Sequence, residues 1–201
     1  MKKTILSVFV MALALASTAL LAATVDQDAP TNNMTMARFS QLDLAQSFQQ
    51  ASSIVSGAGI YLSSAYGSTD SVTLSLYDKL PNDGGSLLAQ GSAAGTAGSW
   101  FDVQWNPVSV TPNMTYFLVF GGNSTLAIAG DSNHTYKRGH VYANSGFQSY
   151  PDLDYAFRTY TSDANVAVVP EPQTYALLIA GLVAVGSFAR RRKTGERSHA
   201  R

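Results

Sequence analysis

The chain contains no cysteine, which excludes disulfide staples, thiol nucleophiles and thiolate-ligated zinc or iron–sulfur centres. The absence leaves the compartment open, since a reducing cytosol and an exported bacterial protein both accommodate it. Basic residues are scarce through the middle of the chain. Thr24 to Val168 holds eleven aspartates against five lysines and arginines, a net charge of −6 concealed by the overall balance of 13 Lys+Arg and 13 Asp+Glu. An acidic body of this kind excludes non-specific nucleic-acid binding, because phosphate neutralisation needs clustered cations. The same span lacks a long helical period, a fixed-length repeat, a low-complexity tract, a G-x-S-x-G elbow, a P-loop and a complete dinucleotide fingerprint. No cofactor is expected.

The two ends differ from this body. "MKKTILSVFVMALALASTALLAATV" places Lys2 and Lys3 before an apolar stretch and closes on Ala22 and Ala23, the layout of a signal peptide cut by signal peptidase. At the other end, Tyr175 to Ala189 is apolar apart from Ser187 and is followed by Arg190, Arg191, Arg192 and Lys193. As a helix these residues reach about 22 Å at 1.5 Å each, short of the ~30 Å hydrocarbon layer. Flanking polar residues and snorkelling cations can complete the span, and the cations hold their side cytoplasmic. Pro170 and Pro172 flank Glu171 just before this run and keep the backbone extended.

Pro170-Glu171-Pro172, the apolar segment and the arginine cluster together resemble the PEP-CTERM sorting signal of Gram-negative bacteria. The resemblance implies recognition and processing by exosortase, an integral-membrane cysteine transpeptidase. Pro170, Glu171 and Pro172 would be its recognition element, the helix a temporary tether in the inner membrane, and Arg190, Arg191 and Arg192 the stop. The tail "TGERSHAR" is longer than the family's usual abrupt ending.

Between the ends the period is two. Val72, Leu74 and Leu76 alternate with Thr73 and Ser75; Phe101, Val103 and Trp105 alternate with Asp102 and Gln104, as in half-buried antiparallel strands. Tyr116 to Phe120 is nearly all apolar and predicts a central strand, while "LDYAFRTYT" sets Tyr155, Phe157 and Thr159 on one side. Weaker strands are expected at "AQSFQQ", "GAGIYLSS", "TLAIAG" and "GHVYANS", with turns at "PNDGG", "GGNS" and "SYPD". This pattern predicts an all-β, antiparallel two-sheet sandwich of jelly-roll type. The run from "VTLSLYDKLPNDGGSLLAQGS" to "YAFRTY" is similar to the exported β-sandwich modules called choice-of-anchor domains, which accompany anchor signals. The expected division is signal peptide 1–23, flexible linker 24–36, sandwich 37–161, linker 162–168, sorting signal 169–193 with membrane helix 175–189, and basic cytoplasmic tail 194–201.

Candidate sites in the body have ordinary alternatives. Trp100 and Tyr150 are candidate glycan platforms, since planar aromatics beside Asp and Asn can stack on sugar rings; core or edge packing is the more frequent reason for such residues in a sandwich. Asp78 and Asp83 near one turn, and Asp152 and Asp154 near another, are weak calcium candidates without EF-hand spacing. Ser132 in "GDSN", two residues before His134, suggests a hydrolase only if acid, base and nucleophile converge; a polar turn uses the same letters. His134 and His140 have no third ligand for zinc. These observations predict a non-enzymatic surface or extracellular-matrix protein, structural or adhesive, associated with exopolysaccharide or biofilm. The alternatives are a carbohydrate-binding module and, less favoured, a secreted hydrolase.

Overall fold

The computed structural model describes residues 23–162. The expected signal peptide, the sorting signal with the membrane helix expected at 175–189 and the tail expected at 194–201 lie outside the described residues, as does nearly all of the expected 162–168 linker. Among the described residues no helix is long and apolar enough to cross a membrane.

The body is a pair of antiparallel sheets built from thirteen strands. In chain order these are β1 (Thr24–Ala29), β2 (Met34–Arg38), β3 (Leu44–Gln49), β4 (Ile54–Ser64), β5 (Thr69–Tyr77), β6 (Leu87–Thr96), β7 (Trp100–Ser109), β8 (Thr115–Gly122), β9 (Leu126–Asp131), β10 (Val141–Ala143), β11 (Gln148–Tyr150), β12 (Asp154–Tyr155) and β13 (Phe157–Thr161). Eight of them form the frame. β1, β13, β4 and β7 pair in that order in one sheet, and β3, β8, β5 and β6 in the other. Counted along the frame, these are strands one, eight, three, six and two, seven, four, five, the pairing order of a jelly roll. Two insertions enlarge the frame: β2 after its first strand, and β9 to β12 between its seventh and eighth. They meet where β2 pairs with β9.

The alternating residues meet between the sheets. Val72, Leu74 and Leu76 of β5 are fully buried with Ile60, Leu62, Phe48, Leu118 and Phe157, and side chains of this size each contribute about 1.5–3 kcal/mol on burial. β8 is central, between β3 and β5. Its reverse face is apolar because a second cluster covers it: Phe117 and Val119 pack with Ala45, Leu80, Phe147 and Tyr142. The 3-10 turn Pro81–Asp83 helps to hold this cover, through Asn82 Nδ2 donating to the Gly146 carbonyl at 3.1 Å.

The stretch 24–36 is not a linker. It carries β1 and the start of β2, held by pairing with β13 and β9. The apolar alternation that marks other strands is missing because β1 turns Gln27 inward. Its amide N–H donates to Thr159 Oγ1 at 3.2 Å, and its side-chain oxygen accepts from the Tyr136 hydroxyl at 3.0 Å. A buried polar residue so bonded avoids the desolvation cost that would otherwise expel it. Tyr136 is itself pushed up to about 12 by burial.

Candidate functional site

Trp100 stands on the outer face of the first sheet, opposite Tyr61 and beside a row fixed by strand register. Asp28, Arg158, Gly59 and Asp102 are successive cross-strand neighbours on β1, β13, β4 and β7. Gly59 has no side chain between Arg158 and Asp102, and a Cβ there would collide with the Asp102 carboxylate. Arg158 therefore reaches over β4, donating from Nε to Asp102 Oδ1 at 2.8 Å and from its terminal nitrogen to Oδ2. Its guanidinium lies 4.2 Å from the centroid of the Trp100 ring, and Tyr61 meets that ring edge-on at 5.7 Å. Tyr160 donates its hydroxyl to Asp102 Oδ1 at 2.8 Å. Hydrogen bonding to Asp102 raises the Arg158 pKa, which keeps the charge fixed. The half-buried Trp100 ring is thus capped by a cation on one side, an arrangement that explains its position by packing.

Tyr150 lies on the other sheet, in β11, so the two aromatic candidates do not share a surface. Tyr150 borders a cleft of about 170 Å³. Its apolar walls are Met36, Ala37, Val141, Ala143 and Leu153; its polar lining is Gln41, Asn144, Tyr150 and Tyr155. None of these residues belongs to the eight-strand frame. The β2 segment and the β9 to β12 insertion supply them all, and the β2–β9 pairing brings the two together. Asn144 has a φ of 65°, a left-handed conformation that Asn tolerates better than most residues. There its Nδ2 donates to the Tyr150 hydroxyl at 2.6 Å. Tyr155 is 1% exposed, and its hydroxyl has no hydrogen-bond partner. Burial raises its pKa strongly, the Tyr150 phenol adding to the effect.

The calcium candidates are dispersed. Asp78 accepts from the Ser86 N–H at 2.6 Å, capping the turn before β6, and Asp83 is exposed in the 3-10 turn. Asp152 is exposed, whereas Asp154 is fully buried and accepts from the Tyr136 N–H at 2.9 Å. Among the described residues no group of three or more His, Asp or Glu is placed to hold a metal ion. The turn at Asp78 and the core site at Asp154 are separate structural tasks.

Ser132 is exposed in a turn, and no hydrogen bond joins it to His134. His134 instead points Nδ1 at Asp154 Oδ2, 3.2 Å away. A different serine meets a different histidine: Ser149 Oγ and His140 Nε2 are 2.8 Å apart, a contact between β11 and the approach to β10 that sequence spacing could not indicate. Burial, then the neighbouring His134, lowers the His140 pKa. No carboxylate hydrogen-bonds His140 on its other ring nitrogen among the described residues, so the dyad lacks the orienting acid of a triad.

Comparison with protein families finds the PEP-CTERM protein-sorting motif at residues 168–193. The match contains Pro170, Glu171, Pro172 and Arg190 to Arg192, all outside the described residues. The motif implies an exported, exosortase-targeted protein with a membrane-associated step. No curated protein matches the chain significantly.

Proposed function

We propose that this is a non-enzymatic surface or extracellular-matrix protein of a Gram-negative bacterium, structural or adhesive in an exopolysaccharide-rich biofilm. Its N-terminal signal peptide directs export and is removed by signal peptidase. The apolar stretch 175–189 then tethers it in the inner membrane until exosortase acts near Pro170 to Pro172. The carrying observation is the sorting motif at 168–193, joined to a sandwich body whose outer face ties Arg158 and Tyr160 to Asp102. Release of the protein into the medium should depend on exosortase. Equal release from wild-type and exosortase-deficient cells would contradict the sorting step.

A second reading, a carbohydrate-binding module, is favoured by the Tyr150 cleft, which joins an aromatic wall to neutral hydrogen-bonding groups. Affinity for the producing cell's exopolysaccharide tests it; a matrix component that binds no sugar at all would satisfy only the first reading.

A further inference from the structure

The cleft between the two insertions is concave, enclosed partly by apolar walls, and built wholly from residues that the jelly-roll frame does not need. We propose that it binds one neutral sugar ring of pyranose size; this rests on the carbohydrate-binding reading and specifies its site.

Size sets the first limit. The volume of about 170 Å³ is close to the ~150 Å³ of a cavity that holds benzene, which limits the occupant to one six-membered ring, its exocyclic hydroxyls reaching the open side of the cleft. Charge sets the second: no Asp, Glu, Lys, Arg or His lines it, and an ionic ligand would be desolvated without a counter-charge. Polarity sets the third. Tyr155 lines the cleft with a hydroxyl that is itself buried, so the polar groups a ligand meets are those of Tyr150, Gln41 and Asn144. Tyr150 accepts from Asn144 and keeps its own proton to donate. Gln41 uses Oε1 to accept from the Arg38 N–H at 2.8 Å, which leaves Nε2 as a donor. These groups supply donors and acceptors for hydroxyls, while Met36, Val141 and Leu153 offer a surface for a ring's C–H face.

The test uses the mature protein from culture, titrated with glucose, galactose and mannose as neutral probes and glucuronate as a charged one, read by ligand-observed NMR. At least one neutral hexose binds with a dissociation constant on the order of millimolar, as so few contact atoms allow, and more tightly than glucuronate. Tyr150→Phe, which removes the phenol proton left to donate, weakens binding about fivefold. Asn144→Gly, which suits the positive φ, weakens it similarly, and Ala143→Leu, which fills the cleft, abolishes it. Trp100→Ala leaves it unchanged. Sugar binding that survives Tyr150→Phe and Ala143→Leu but is lost in Trp100→Ala would keep the carbohydrate reading and overturn the cleft as its site. No binding of any hexose or of the exopolysaccharide would overturn both.

Discussion

Asp131 and Asp154 are direct partners across the β9–β12 pair, both buried, and their surroundings drive the two carboxyls in opposite directions. Burial pushes Asp154 up, against the opposing Tyr136 N–H and the neighbouring His134. Burial also pushes on Asp131, but the Asn133 N–H, Thr135 and the Asn33 side chain together outweigh it and hold its pKa below the usual value.

Opposite pH dependences follow. A carboxyl raised on folding binds its proton more tightly in the folded state. Asp154 therefore contributes stability that is present below the unfolded pKa of about 4 and is lost as pH rises through its folded value. Asp131 contributes stability that is present above that unfolded value and is lost as pH falls through its own depressed pKa. Urea unfolding between pH 3 and 7 reads both. The destabilisation by Asp131→Asn should grow with pH and that by Asp154→Asn should shrink; slopes of the same sign would contradict the assignments.

Gly59 and Asp102 are coupled by the absence of a side chain. Gly59→Ala should cost about 1–3 kcal/mol as an overpacking substitution, because the methyl occupies the space of the Asp102 carboxylate. Asp102→Ala alone should cost about 1 kcal/mol or less, since the Arg158 pair is partly exposed. Once Asp102 is truncated, Gly59→Ala should become cheaper. Denaturation of the two single variants and the double variant measures this; strict additivity would mean that the carboxylate does not set the cost.

The frame strands were legible where one face is apolar and the other wet. Val72, Leu74 and Leu76 announce β5, and Phe101 and Val103 announce β7, because both strands line the core on one side only. β1 was illegible because it is held by backbone pairing and a glutamine network, which leave no hydrophobic period. β6, "LLAQGSAAGT", hides for a related reason: its small residues pack under neighbours, as when Gly95 makes room for Leu62 and Val72. The sorting motif was legible in full, since its chemistry is linear. The cleft was not. It joins β2 to β10, β11 and β12, residues more than a hundred positions apart, and only Tyr150 among its lining stood out as a candidate.

Packing between the sheets should be sensitive to a single truncation. Phe157 is fully buried, with its ring 5.0 Å from Tyr136 and 6.3 Å from Phe48. Phe157→Ala should cost about 3–5 kcal/mol, and Tyr160→Ala, one position after the inward-facing Thr159 and itself facing outward, markedly less. Equal losses in chemical denaturation would contradict the assignment of the two faces.

Recognition at the sorting motif should depend on the Pro170-Glu171-Pro172 element. Glu171→Ala should leave export intact and hold the protein with the membrane fraction, scored by immunoblot of membranes and medium. Undiminished release would remove Glu171 from the recognition element.

The most direct measurement is the intact mass of the native protein from medium and membranes, with mapping of its C-terminal peptide. The expected mature chain ends near Pro170 to Pro172, without the apolar stretch and the arginine cluster. A mature chain retaining residues through Arg190 would contradict processing and make the segment a permanent anchor.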